Sequence, residues 1–198
     1  MIVVHSVVGK EMGSIVYTLS DDSKKDYYLI DIGDWDAARS ILPTSALVRG
    51  VFITHGHHDH VVGLNKLKEC FPECVVYASE EGARMLASAK ANLSAYIETP
   101  FEYKGDVVVL HDGDKVKLFD DCSLTVFETP GHNPSCLCFQ VENFLFTGDS
   151  YIPGVKVVTN LPGGSKRIAQ ETVSKILRIG QGKTICPGHP TQISDNHD

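Results

Sequence analysis

The sequence predicts an α/β chain in which two β-sheets pack face to face with helices on their outer faces. Two observations carry this. Short apolar runs bounded by polar or glycine-containing turns recur in both halves, and each strand-rich half is followed by a helical pattern. Self-similarity of the short period that marks solenoids is absent, as is any low-complexity tract.

Residues 2–8, 15–19 and 27–32 read as strands, the last two separated by the polar turn 20–26. Residues 34–42 read as a short helix stopped by Pro43. Residues 51–54 are a buried strand, followed by a histidine-rich loop and a helix near 61–70. A short strand at 75–78 precedes Ser79, the expected N-cap of a helix running to Ser88. Residues 90–104 are irregular, with Tyr96, Phe101 and Tyr103 expected to be exposed in a loop or lid. From Asp106 the strand pattern returns at 107–110, 116–119, 123–128, 137–141 and 144–147, joined by tight turns such as Asp112-Gly113-Asp114. A helix over 166–179 places Ile168, Val173, Ile176, Leu177 and Ile179 on a partly apolar face, and a last strand at 184–186 ends in Pro187-Gly188-His189.

Composition bounds the function. The 198 residues fit a single domain, 1–198, and 42% hydrophobic with 22% charged residues suffices for a sizeable core. A net charge of -7 with no basic run lacks the electrostatic footprint of a nucleic-acid binder, so no nucleic-acid partner is expected. A small anionic substrate stays open, because two bound dications reverse the local field. No segment approaches the ~20 apolar residues of a membrane span. The start, Met1-Ile2-Val3-Val4-His5, lacks a charged region followed by an apolar stretch, so neither a membrane anchor nor a signal peptide is expected. The six cysteines, Cys70, Cys74, Cys122, Cys136, Cys138 and Cys186, form no C-x-x-C pair, which fits a reduced, cytoplasmic setting. Cys136 and Cys138 are read as small core residues on one face of a strand, and Cys186 as a buried structural one.

The chemistry concentrates in Thr54-His55-Gly56-His57-His58-Asp59-His60, directly after the apolar run Val51-Phe52-Ile53. A strand feeding so tight a loop aims alternate side chains at one point, so His55 and His57 can share one metal ion. Asp59 and His60, just beyond the turn, can reach a second. Neutral imidazole and carboxylate oxygen are the donors that zinc and its first-row neighbours accept. By the same alternation His58 points away from the metals, and His5, His111 and His197 read as surface or turn residues. Three further candidates follow strands, each preceded by a glycine: His132 in Pro130-Gly131-His132, Asp149 in Gly148-Asp149, and His189 in Pro187-Gly188-His189.

With these residues in hand, the chain resembles the metallo-β-lactamase superfamily, whose H-x-H-x-D-H motif is met by His55, His57, Asp59 and His60 and whose later ligands match His132, Asp149 and His189 in order. The resemblance implies an αββα sandwich of two mixed β-sheets with the metals at one edge. It implies that His55, His57 and His132 hold one metal, that Asp59, His60 and His189 hold the other, and that Asp149 bridges both. Within the superfamily the chain is most similar to small glyoxalase-II-like hydrolases, through Asn92-Leu93-Ser94, Asp112-Gly113-Asp114, Thr129-Pro130-Gly131-His132 and Leu161-Pro162-Gly163-Gly164. Asp31 matches that group's early aspartate, which orients a metal-binding histidine from behind; its plainer reading is a strand-end turn residue. The chain departs from the group at Val157-Val158, where Gly-Arg is usual, at Asn160 and Ser165 around Leu-Pro-Gly-Gly, and at Asn133-Pro134-Ser135-Cys136 after His132. Lys156 is either a replacement for the missing arginine or a solvated surface lysine. The helical C-terminal region with which full-length glyoxalase II enzymes grip glutathione is not expected, since the sequence given ends soon after His189.

The expected function is therefore that of a metal-dependent hydrolase in which a hydroxide bridging two divalent ions cleaves a thioester or similar small ester. The ions are taken as zinc, with iron and manganese as the other candidates. Asp59 is expected to hold the proton of the attacking water, and Tyr151 to donate to the substrate oxygen or else to pack in a strand-to-loop turn. Substrate choice is expected to lie in loops 88–104 and 151–160. The competing readings are a mononuclear-iron persulfide dioxygenase, a phosphodiesterase or nuclease of the same fold, and a metal-binding module without catalysis.

Overall fold

The computed structural model describes residues 1–10, 12–23 and 25–191; His197 lies outside them. In chain order the elements are β1 (Val3–Val8), β2 (Ile15–Ser20), β3 (Asp26–Ile30), α1 (Trp35–Ile41), β4 (Leu47–Phe52), α2 (His58–Val61), α3 (Leu64–Cys70), β5 (Val75–Ala78), α4 (Glu80–Leu86), β6 (Val108–Val109), β7 (Lys115–Phe119), β8 (Cys122–Glu128), β9 (Leu137–Val141), β10 (Phe144–Gly148), α5 (Lys166–Ile179) and β11 (Thr184–Pro187). One sheet runs β1-β2-β3-β4-β5-β6, and the other β11-β10-β9-β8-β7. Both are mixed. The first is antiparallel from β1 to β3 and parallel from β3 to β6, while the second is antiparallel except where β11 joins β10.

Period-two alternation sorts the side chains into layers. Leu29, Val51 and Val76 face one way and pack with Ala38 of α1, Leu64 and Leu67 of α3 and Leu86 of α4. Their neighbours Ile30 and Phe52 face the other way, meeting Leu124, Val126, Phe139 and Phe146 of the second sheet. Phe52 stacks on Tyr77 at 4.5 Å and lies 5.6 Å from Phe139 across the interface, so this aromatic group clamps the two sheets together. On the far side of the second sheet, α5 seats Ile176 against Cys138 and Leu145. The αββα sandwich that the sequence implies is the architecture found.

Three of the helices, α1, α4 and α5, begin at side-chain caps. Asp34 accepts from the Ala37 amide, Ser79 from the Gly82 amide, and Ser165 from the Ile168 amide. Several expectations are corrected. Phe101 and Tyr103 are buried, each 6% exposed, because both pack into the core under α3 and α4; Tyr96 alone of the three stands out, at 73%. The segment carrying them is tied down. The buried Asn92 donates its amide to the Phe101 carbonyl, and the Ser94 hydroxyl accepts from the Phe101 amide at 2.8 Å. The helix expected near 61–70 is two, α2 and α3, broken at Val62-Gly63, where the Gly63 amide donates to the Ile32 carbonyl. Leu177 is 53% exposed rather than on the packed face of α5, whose buried residues are Ala169, Thr172 and Ile176. No helix among the described residues is long and apolar enough to cross a membrane.

Candidate metal centre

The parallel strands β3 and β4, with β10 and β11 of the other sheet, all end at one edge of the sandwich, and the candidate ligands emerge there. His55 and His57 follow β4, and Asp59 and His60 ride on α2. Hydrogen bonds pin the loop between them: the Gly56 amide donates to the Ser135 hydroxyl at 3.0 Å, and the His58 amide to the Asn92 carbonyl at 2.9 Å. His132 lies beyond β8, Asp149 directly after β10 and His189 just after β11. The glycines before them are required, all three on contact grounds, a Cβ on Gly131 lying 2.5 Å from Ala169 Cα. A Cβ on Gly188 would stand 2.3 Å from Asp149 Oδ1 and 2.9 Å from His60 Cε1, and one on Gly148, whose φ is +48°, would lie 2.6 Å from Thr54 Oγ1.

All seven residues converge. Donor atoms of His55, His57 and His132 lie within 4.8 Å of one another, as do those of Asp59, His60 and His189, and those of His55, His60 and Asp149. Asp149 stands between the histidine groups: its Oδ2 is 3.7 Å from His132 Nε2 and 3.6 Å from His189 Nε2, and its Oδ1 is 3.5 Å from His60 Nε2. His189 and the two carboxylates are the partly exposed members, at 25%, 17% and 15% of their side chains, so the site opens on that side.

Three of the five imidazoles are held from behind in the tautomer a metal needs. His60 Nδ1 donates to Asp31 Oδ2 at 2.8 Å, leaving Nε2 facing the site. His132 Nδ1 donates to the Val158 carbonyl at 2.8 Å. His55 Nδ1 donates to Thr54 Oγ1 at 3.1 Å, and that hydroxyl donates to the same Asp31 oxygen. Asp31 itself sits at φ +59°, a left-handed conformation uncommon outside glycine, which turns its carboxylate back under the loop. The roles of Thr54 and Val158 were not read from the sequence. Thr54 at least carries a signal, a hydroxyl adjacent to a ligand, whereas Val158 acts through its backbone and leaves none.

The donor set fits divalent ions on two counts. His55 Nε2 and Asp149 Oδ1 are buried without a hydrogen-bond partner among the described residues, and His57 Nδ1 lies 2.9 Å from His132 Nε2. Two imidazole nitrogens so placed converge on one point, as ligands of a shared ion do. The electrostatics point the same way. Burial, reinforced by His60 and His132, pushes His55 well below the usual imidazole range, and burial with His132 brings His57 down to about 4. These two are neutral with a free lone pair, the form that ligates. Burial alone would raise the Asp59 and Asp149 carboxyls, but His60 and His189 outweigh it and hold both lowered. Burial would depress His60, yet Asp59, Asp31 and Asp149 draw it well above its ordinary value, and the hydrogen bond to Asp59 raises His189. The bare residues thus gather protons where cations would otherwise supply the charge.

The remaining candidates fall elsewhere. The Tyr151 ring packs against Cys138, Leu145 and Ile176 beneath α5 rather than among the donor atoms. Lys156 is exposed and lines a small cavity of about 30 Å³ that His132 and Asp149 also border. His5 and His111 are exposed, and His58 contributes no atom to the three donor groups.

The fold and this donor cluster define a class of protein, and comparison with known families agrees. Residues 17–189 match the sequence model of the metallo-beta-lactamase superfamily, and the chain belongs to that superfamily. Among solved structures it is similar to the BLEG-1 B3 metallo-β-lactamase, at 22% identity over 95% of this chain and 92% of that one, with a TM-score of 0.86. It is similar to TTHA1623 in a di-iron-bound form, at 22% identity over 94% of this chain and 92% of that one, with a TM-score of 0.79. It is also similar to ETHE1 from Myxococcus xanthus, at 20% identity over 96% and 77%, with a TM-score of 0.74. At such identities these likenesses speak to the fold.

Proposed function

We propose that the protein is a hydrolase of small thioesters that carries two divalent metal ions, taken as zinc. The observation behind this reading is the Asp149 carboxylate, placed within 3.5–3.7 Å of His60, His132 and His189 so that it can serve both histidine groups at once. His55, His57 and His132 would hold one ion and Asp59, His60 and His189 the other. Bound there, a pair of Lewis-acidic cations supplies a water of near-neutral pKa and polarises the scissile carbonyl.

The chain's own residues do the rest. Asp31, Thr54 and Val158 fix the tautomers of His60, His55 and His132, so those donor atoms need no reorganisation. Asp59, on the open side, accepts the proton of the attacking water. Water oxygen adds to the acyl carbon, the carbon–sulfur bond breaks, and the sulfur leaves with a proton, giving a carboxylic acid and a thiol. A thiolate is a good leaving group and needs no strong acid from the protein. That suits a site in which, among the described residues, every clustered histidine is already in a donor group. An amide or a phosphodiester would ask for more. All six cysteines are free, which supports a reducing compartment.

A second reading concerns the metal. The di-iron form of TTHA1623 favours iron as an occupant of a site of this kind; a persulfide-oxidising enzyme is the alternative activity, and one iron per chain is its mark. Elemental analysis of freshly purified protein, paired with hydrolysis of a thioester panel, tests both. About two zinc ions per chain with thioester turnover is the expected result. One iron and no turnover would overturn the proposal.

A further inference from the structure

Of the three imidazoles in the His55, His57 and His132 group, two are backed by oxygens that accept from the ring, Thr54 Oγ1 behind His55 and the Val158 carbonyl behind His132. His57 is backed by a different kind of atom. Its Nδ1 faces the cluster, 2.9 Å from His132 Nε2, while its Nε2 looks back at Asn133, whose side-chain nitrogen Nδ2 stands 3.5 Å away.

The amide of Asn133 cannot be turned to offer its oxygen instead. The Ser135 backbone N–H donates to Asn133 Oδ1 at 2.8 Å, closing an Asx turn over Pro134. The Ser135 hydroxyl donates to the same oxygen at 2.6 Å and accepts from the Gly56 amide at 3.0 Å. A backbone N–H can only donate, so turning the amide over would set Nδ2 against the N–H of Ser135. The turn is itself anchored. The Ser135 carbonyl accepts from the hydroxyl of Ser79, the residue that caps α4. Asn133 and Ser135 are 0% and 1% exposed, so solvent does not compete for these bonds. A buried network therefore runs from the start of α4 through Ser135 and Asn133 to the back of His57, and it ends on a donor.

We propose that Asn133 is a positioning residue that opposes ligation by His57. Its N–H favours the ring tautomer with a bare Nε2 and the proton on Nδ1, whereas holding an ion through Nδ1 requires the proton on Nε2. The inference rests on the two-ion reading above. The ring is neutral in both forms: Nδ1 gives a proton to water and Nε2 takes one up. The effect is confined to the ion that His55, His57 and His132 would share, which is held less tightly than these three donors allow. Asp59, His60 and His189 are untouched by it, since the group behind His60 is the Asp31 carboxylate, an acceptor.

Nitrogen-15 resonances of the histidine rings in the metal-stripped protein read the tautomer directly. His57 is expected with a protonated Nδ1 and a bare Nε2, and a proton found on Nε2 would overturn the proposal. Competition for zinc against a chromophoric chelator reads the consequence. Asn133→Asp keeps an oxygen for Ser135 and turns a second one toward His57. In that variant the ring proton should move to Nε2, and one of the two zinc ions should bind about 10–100-fold more tightly with the other unchanged. Unchanged affinity would overturn the proposal and leave the two-ion reading standing. So would a gain shared by both ions with the tautomer as before, which is what added negative charge alone would give. Absence of zinc uptake by parent and variant alike would overturn the two-ion reading, and the ring resonances would still decide whether Asn133 sets the tautomer of His57.

Discussion

Asp31 holds His60 by a 2.8 Å hydrogen bond from Nδ1 to Oδ2, while its other oxygen accepts from the Thr54 amide at 2.7 Å. One carboxylate at a strand end thus fixes both the loop backbone and a ligand ring. Asp31→Asn tolerates the left-handed backbone but removes the charge behind His60. The expected outcome is a loss of about 10–100-fold in metal affinity, read by chelator competition, with the far-ultraviolet circular dichroism unchanged. Full metal affinity in the variant would show that Asp31 is only a turn residue.

Gly188 is a contact glycine. In Gly188→Ala the new methyl group meets Asp149 Oδ1 at 2.3 Å and His60 Cε1 at 2.9 Å, and close-packed surroundings leave it nowhere to go. On the two-ion reading proposed above, the variant should fold yet bind less than two equivalents of metal, since both displaced side chains, Asp149 and His60, are candidate donors. Metal stoichiometry on the purified variant decides the point.

Thiol reactivity follows burial. Burial pushes Cys74, Cys136, Cys138 and Cys186 up to about 12, so their thiolate fraction is negligible near pH 8. Titration of the native protein with a disulfide reagent at that pH should modify the exposed Cys70 promptly and these four only on unfolding. Prompt reaction of more than two thiols would contradict the packing described above.

Lys175 ties α5 to the turn before β7 and the end of β8, donating to Asp112 Oδ1 at 2.8 Å and to the Glu128 carbonyl at 2.9 Å, with its ammonium 5.9 Å from the Phe127 ring. The hydrogen bond from Lys175 is the first reason that the Asp112 carboxyl is lowered. A carboxyl lowered on folding contributes stability above its unfolded pKa of about 3.9, and that contribution is lost as pH falls through the folded value. The pair is solvent-screened, so Asp112→Asn should cost about 0.5–1 kcal/mol at pH 7. The difference from the parent protein should shrink toward zero below about pH 3. Denaturant unfolding at the two pH values measures it.

The sequence made the site more legible than its surroundings. The imidazole and carboxylate donors sit in one loop and at three strand ends, where alternation and the preceding glycines limit the directions they can take. The supporting contacts were harder to see. Val158 serves His132 through a carbonyl, and any side chain could sit there. Phe101 and Tyr103 looked like loop aromatics because their segment has no periodicity, yet both are drawn into the core by the bonds that Asn92 and Ser94 make to the Phe101 backbone. The break between α2 and α3 was hidden for a related reason. It is set by a tertiary bond from Gly63 to Ile32, and local propensity carries no record of a distant partner.

Donors from the two halves of the chain enter the same cluster, His55 to His60 from the first sheet's edge and His132, Asp149 and His189 from the second. This has a consequence for the order of assembly. A nascent chain that has made only its first sheet offers four of the seven donors, without Asp149 to join the histidine groups. High-affinity metal capture therefore waits until the last strand, β11, has docked beside β10. Loading with metal is then a report that the whole sandwich has closed, and a molecule that stalls before that point stays empty and exposed to proteolysis.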